Sequence, residues 1–186
     1  MLTSLPNLLT LSRIAAIPAI VALMFVAEAW AAWLALFLYI LACLTDWLDG
    51  YFARAQNLES PVGKFLDPIA DKLLVSALLL VMAGTDRLTF WALPAAIVIL
   101  LREILVSGLR EFLAGLNKIS VPVSRVAKWK TAMQMVALGF LIIGVWGPWG
   151  WPWKEIGGLG LWFAAILTVL TGWSYMRIGW KHMNEI

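Results

Sequence analysis

The chain has 186 residues, of which 62% are hydrophobic and 13% charged, and its formal net charge is +3. Soluble domains carry about 25% charged residues, so this composition argues against a soluble domain and indicates a polytopic helical membrane protein. Cys43 is the only cysteine, which excludes an intrachain disulfide.

Apolar stretches long enough to cross a bilayer follow one another along the sequence. The first begins after Ser4, which we expect to cap the helix, with Pro6 in its first turn. The fold class predicted is all-α, a single transmembrane domain over residues 1–186 with six spans. The spans are predicted over about 5–27, 30–55, 60–83, 88–114, 123–145 and 155–181.

The basic residues predict how the chain is oriented. If the N-terminus is cytoplasmic, the inner ends of the spans hold twelve lysines and arginines, whereas the outer loops hold only Arg87 and Lys154. This is the positive-inside bias of membrane proteins. The outer loop over 146–153 contains four tryptophans. We interpret it as an interfacial anchor, with a lipid or quinone site as the alternative.

Four aspartates lie on the inner side, on the second and third predicted spans. Asp46 and Asp49 are spaced i,i+3, and Asp67 and Asp71 are spaced i,i+4, so each pair lies on one helix face. A carboxylate inside a membrane costs about 3 kcal/mol, so four of them need a counter-charge. Oxygen ligands suit Mg²⁺ or Mn²⁺, and the absence of histidine and thiol from the motif argues against zinc.

Small and basic residues accompany these aspartates at fixed intervals. Gly50 and Gly63 remove side chains beside them and Ala53 keeps the surface small, which leaves room for a phosphate chain. Arg54 is suited to contact a phosphate or to pair with an aspartate. The alternative is a set of ion pairs with nearby lysines at a solvated helix end, but that does not require glycines, an alanine and an arginine at set spacings.

The segment from Asp46 to Asp71 resembles the CDP-alcohol phosphotransferases, whose motif D-x2-D-G-x2-A-R-x8-G-x3-D-x3-D is matched at every fixed position. A looser resemblance over about residues 6–134 is to the phosphatidylglycerophosphate synthase branch of that family. The matches that carry it are Pro6-Asn7-x-x-Thr10-x-x-Arg13, Arg102-Glu103, Arg110-Glu111 and Ser124-x-x-x-Lys128-x-Lys130-Thr131-x-x-Gln134.

The resemblance implies transfer of a phosphatidyl group from CDP-diacylglycerol to sn-glycerol 3-phosphate, with release of CMP. It implies that the aspartates hold two Mg²⁺ or Mn²⁺ ions and that Asp71 is also the general base. The metal residues implied are Asp46, Asp49, Asp67 and Asp71. The donor-binding residues expected are Asn7, Thr10, Gly50, Ala53, Arg54 and Gly63.

The acceptor carries a phosphate dianion, which needs a basic pocket open to the cytoplasm. The candidates for it are Arg102, Arg110, Lys118, Lys128 and Lys130. The alternative for each is ordinary positive-inside flanking. For Arg102, which lies deeper in the fourth span, the alternative is a pair with Glu103 or with an aspartate.

We further expect a homodimer in the bacterial inner membrane, in contact with membrane lipid, with the active site facing the cytoplasm and with no nucleic-acid partner. Two other functions stay open. One is the same chemistry with phosphatidylglycerol, inositol phosphate or serine as the acceptor. The other is a divalent-cation transporter, which Arg54 disfavours because an arginine beside a cation path repels the cargo. Metal-dependent release of CMP from CDP-diacylglycerol would distinguish the enzyme from the transporter.

Overall fold

The structure is a computed structural model that describes residues 5–56, 61–115 and 125–183, although some side chains near helix ends fall outside the described set. Every regular element within those ranges is helical, which confirms the all-α prediction. The long helices are α1 (Leu5–Met24), α2 (Ala29–Gln56), α3 (Pro61–Gly84), α4 (Leu93–Gly115), α5 (Arg125–Ile143) and α6 (Trp153–Met183). Short 3₁₀ turns lie at Phe90–Ala92, Gly144–Trp146 and Pro148–Gly150.

Within the described ranges, five of these helices contain a stretch that is long and apolar enough to cross a membrane. The exception is α3, because Asp67, Asp71 and Lys72 fall within every stretch of 18 residues that this helix offers. The six long helices agree with the six predicted spans in order and position, and five of them have the composition of a span.

Two helix ends differ from the predicted bounds by three residues or more. Helix α1 stops at Met24 instead of about Ala27, because the amides of Phe25 and Val26 bond to carbonyls three residues back and tighten the last turn. Helix α4 begins at Leu93 and not near residue 88, after the 3₁₀ turn. Proline is favoured in the first turn of a helix, and Pro94 occupies that turn of α4.

The chain forms two compact units. Unit 1 comprises Met1–Leu88 and Gly139–Lys154, and unit 2 comprises Thr89–Leu138 and Glu155–Ile186. The single domain over residues 1–186 therefore stays a prediction.

Unit 1 is organised around one buried stripe of α1, which packs against both α2 and α3. Leu8 and Leu11 on the opposite face are exposed, as expected for a helix that presents leucine to lipid. The buried residues recur every three or four positions, and the first three of them are polar. They are Asn7, Thr10, Arg13, Ile17, Ile20 and Met24.

Small residues bring the helices of unit 2 into close contact. A methyl group added at Gly160 on α6 would lie 2.8 Å from the Cβ of Ala137 on α5. One added at Gly158 would lie 2.8 Å from the ring of Trp91. Close backbone approach through glycine and alanine is the usual way that membrane helices pack tightly.

Candidate active site

One arginine of α1 joins the carboxylates of α2 and α3. The Nη1 of Arg13 lies 2.7 Å from Oδ1 of Asp46 and donates to Oδ1 of Asp71 at 2.8 Å. The Arg13 side chain is 0% exposed, whereas those of Asp46 and Asp71 are 37% and 44% exposed. A buried cation therefore holds together two carboxylates that remain open to ligands.

The polar stripe of α1 also reaches the third aspartate. Thr10, one turn before Arg13, donates its hydroxyl to Oδ1 of Asp67 at 2.7 Å. Asn7, one turn earlier again, is buried, and so is Gly63 on α3. The structure thus brings Asp46, Asp67 and Asp71 against one face of α1.

Arg13 contacts two of the predicted metal ligands, although the sequence did not predict it as a site residue. The resemblance included it, but its charge was assigned to the positive-inside bias. Two signals point to a site instead. Asn7, Thr10 and Arg13 are spaced by three, which places them on one helix face. An arginine within an apolar helix is also costly unless it faces a partner.

The carboxylates fit a hard divalent cation by their chemistry and by the distance between their oxygens. Asp46 and Asp71 both lie within 2.8 Å of one nitrogen, so their oxygens are no farther apart than twice that distance. Oxygens of one Mg²⁺ shell are about 3–4 Å apart, and carboxylates are the ligands that Mg²⁺ prefers. Among the described side chains, no three acidic, histidine or cysteine residues are already arranged around one ion position. Arg13 supplies the positive charge between these carboxylates.

Several predicted site residues fall outside the described side chains, and their roles stay predictions. Lys118 lies outside the described residues altogether. The others belong to described helices, but their burial and contacts lie outside the described set. They are Asp49, Gly50, Ala53 and Arg54 on α2, Arg110 on α4 and Lys128 on α5.

Unit 2 contains a second charged cluster, centred on the carboxylate of Glu103 on α4. The ammonium of Lys130 on α5 forms an ion pair with Oε1 of Glu103, and Nη1 of Arg102 lies 3.4 Å from the same oxygen. Nη2 of Arg102 donates to the hydroxyl of Thr171 on α6 at 3.0 Å. The structure therefore brings Arg102 and Lys130 together and contains the Arg102–Glu103 pair that the sequence offered as an alternative.

Further polar groups lie in the same unit. Gln134 is one turn after Lys130 on α5 and, like Thr168 on α6, is buried. Within the described part of the chain, Oε1 of Gln134 and Oγ1 of Thr168 have no hydrogen-bond partner. Gly172 makes room for Arg102, because a Cβ there would lie 3.1 Å from its Cγ. Of Gln134, Thr168 and Gly172, only Gln134 was part of the resemblance in the sequence.

Comparison with known proteins identifies the family of the chain. The sequence profile of the CDP-alcohol phosphatidyltransferase family matches residues 3–170, and the chain belongs to that family. The family's enzymes generally depend on a divalent metal.

The chain is 48% identical to a protein of Rickettsia typhi over 94% of this chain and 96% of that one. It is 41% identical to a protein of Salmonella choleraesuis, over 94% and 92% of the two chains. It is 38% identical to a protein of Cereibacter sphaeroides, over 98% of both. Each of the three is named CDP-diacylglycerol–glycerol-3-phosphate 3-phosphatidyltransferase.

Proposed function

We propose that this chain transfers the phosphatidyl group of CDP-diacylglycerol to sn-glycerol 3-phosphate, giving phosphatidylglycerophosphate and CMP. The observation that carries the proposal is the near full-length similarity to proteins of that name, at 38–48% identity. Membership of a family of transferases also favours an enzyme over a cation transporter.

The reaction is one displacement at phosphorus. A hydroxyl of the acceptor attacks the β-phosphorus of the donor, the bond to the CMP oxygen breaks, and the hydroxyl proton passes to Asp71. When bound, two Mg²⁺ or Mn²⁺ ions would neutralise charge on the diphosphate. We assign their ligands to Asp46, Asp49, Asp67 and Asp71, of which the first and last share the Arg13 nitrogen.

Arg13 acts as a positioning residue in this proposal. It fixes Asp46 and Asp71 from a buried location, so that both carboxylates are set before a substrate arrives. The carboxylate of an aspartate is in general a weak base for an alcohol. We therefore infer that Asp71 takes the proton late, after the phosphorus–oxygen bond has begun to form.

The donor and the acceptor are assigned to different residues. We assign the donor to Asn7, Thr10, Gly50, Ala53, Arg54 and Gly63. We assign the acceptor phosphate to Arg102, Arg110, Lys118, Lys128 and Lys130.

The charged cluster of unit 2 supports the acceptor assignment. Arg102 and Lys130 bring two cationic side chains to one cluster, and arginine and lysine are the side chains that bind phosphate. The buried Oε1 of Gln134 is an acceptor for a glycerol hydroxyl.

Five helices with the composition of a span, and relatives from bacteria, indicate a multi-pass membrane protein. We propose that the carboxylates face the cytoplasm of a bacterial inner membrane, because twelve of fourteen basic residues fall on that side in the predicted topology. We also propose a homodimer within the membrane.

The test is an assay of the purified chain with CDP-diacylglycerol. Glycerol 3-phosphate, inositol phosphate, phosphatidylglycerol and serine are offered separately, with Mg²⁺, Mn²⁺ or a chelator, and both CMP and the lipid product are measured. We expect metal-dependent CMP release with glycerol 3-phosphate and none with Asp71→Asn. If CMP is released only with another acceptor, that compound replaces glycerol 3-phosphate in the proposal. If no acceptor gives CMP release, the transferase function is refuted.

A further inference from the structure

A cavity of about 500 Å³ lies in unit 1, at the end of α1 away from the aspartates. Helix α1 rises by about 1.5 Å per residue, so Met24 at the cavity lies about 21 Å along the axis from Thr10 at the carboxylates. The volume falls within the range of small-ligand sites, about 300–1,000 Å³. The cavity is thus separate from the proposed catalytic site.

Both basic residues of the predicted outer loops line this cavity. They are Arg87, after α3, and Lys154, at the start of α6, and Asp86 lines it too. Within the described part of the chain, no ion pair involves Arg87, Lys154 or Asp86. Two cations and one carboxylate give the lining a net charge of about +1.

Arg87 is poorly solvated for a charged residue. Its side chain is half-buried and Nη1 donates to the carbonyl of Ile142 at the end of α5. Burial lowers the pKa of the Arg87 guanidinium, although arginine stays protonated in proteins. A partly desolvated cation without a counter-ion is a favourable partner for an anion.

Apart from Thr85, the remaining lining is apolar. Phe25 is 67% exposed and Val145 is 79% exposed, and Trp146 stands beside them in the tryptophan-rich loop. Exposed aromatic side chains next to cations at the end of membrane helices are typical of the depth of lipid headgroups. The cavity therefore offers cations to a phosphate and an apolar rim to acyl chains.

We propose that this cavity binds the phosphodiester headgroup of an anionic phospholipid, with Arg87 and Lys154 on the phosphate and Phe25, Val145 and Trp146 against the lipid tails. A phosphodiester carries one negative charge, which neutralises the lining. A zwitterionic headgroup would leave the positive charge uncompensated. In the predicted topology this lipid belongs to the outer leaflet, and its binding does not depend on the proposed transferase activity.

The test is native mass spectrometry of the full chain, released from detergent and titrated with phosphatidylglycerol, phosphatidylethanolamine or phosphatidylcholine. Variants Arg87→Gln and Lys154→Gln are compared with Arg177→Gln, an exposed cation of α6 that serves as the matched control. Inorganic phosphate, added as a competitor, distinguishes a site for free phosphate from one for a lipid. Each variant is also checked by circular dichroism, because Arg87 has a structural hydrogen bond as well.

We expect one phosphatidylglycerol to bind more tightly than the zwitterionic lipids. The affinity for phosphatidylglycerol should fall about tenfold in Arg87→Gln and stay unchanged in Arg177→Gln. It should fall severalfold in Lys154→Gln, which removes no structural hydrogen bond of the kind that Arg87 makes. Inorganic phosphate should not displace the lipid. Equal binding of the three lipids, or an unchanged affinity in folded Arg87→Gln and Lys154→Gln, would overturn the proposal, and displacement by phosphate would reassign the site to a free anion.

Discussion

Replacing Arg13 by glutamine removes the charge that joins two carboxylates. Breaking a fully buried ion pair costs about 3–5 kcal/mol, whereas an exposed pair contributes about 0–1 kcal/mol. The Arg13 side chain is 0% exposed, but Asp46 and Asp71 are 37% and 44% exposed, so solvent screens part of the effect. We expect Arg13→Gln to lower the free energy of unfolding by about 2 kcal/mol, which is about 30-fold in the equilibrium constant.

The same substitution should couple stability to magnesium. Without Arg13 the carboxylates of Asp46 and Asp71 repel each other, and a divalent cation offsets that repulsion. Saturating Mg²⁺ should therefore stabilise Arg13→Gln by about 1 kcal/mol more than it stabilises the unaltered chain. The assay is denaturant unfolding in detergent, followed by tryptophan fluorescence, in a chelator and in Mg²⁺.

Arg102→Gln is the matched control. In the unaltered chain the Arg102 side chain is 13% exposed and, like Arg13, pairs with a carboxylate, but it lies in unit 2. Arg102→Gln should lose stability without gaining any extra response to Mg²⁺. If Mg²⁺ stabilises both variants and the unaltered chain equally, Arg13 is not the counter-charge of a metal site and the electrostatic reasoning fails.

Three further predictions concern catalysis and packing. Asp71→Asn should lower the rate of CMP release at least about 100-fold while CDP-diacylglycerol still binds, and near-normal turnover would remove the assignment of the base. Lys130→Ala should raise KM for glycerol 3-phosphate more than KM for the donor in steady-state kinetics, and an unchanged acceptor KM would count against a basic acceptor site. Gly160→Ala should destabilise the protein by about 1–3 kcal/mol, because the new methyl group would lie 2.8 Å from Ala137. Gly108→Ala meets nothing within 4 Å and should be neutral or stabilising by up to about 1 kcal/mol in the same unfolding measurement.

The sequence predicted the helices well because hydrophobic length is a strong signal in membrane proteins. The order and position of all six long helices agree with the prediction. The errors lie at ends that depend on local hydrogen bonding, such as the tightened turn after Met24 and the 3₁₀ turn before Leu93. Apolar composition continues through both places, so it carries no information about where the helix stops.

The site was harder to predict because its contacts join distant parts of the chain. The spacing of Asp67 and Asp71 placed both on one face of α3. It did not show that Arg13, 58 residues before Asp71, would pair with that carboxylate. In unit 2, the sequence offered Arg102 an acceptor phosphate, Glu103 or an aspartate as its partner. The packed structure has Arg102 beside Glu103 and also beside Thr171, which the sequence did not indicate. Local patterns predict which groups share a helix face, whereas tertiary packing decides which faces meet.

The ion pairs of Arg13 affect whether the carboxylates are in place before a metal ion binds. Many metal sites assemble only as the ion binds, so that a chelator unfolds the protein. Here a resident guanidinium already holds Asp46 and Asp71 in place. We therefore expect removal of the metal to stop turnover without unfolding the helices. The metal-free enzyme should regain activity when Mg²⁺ is added again.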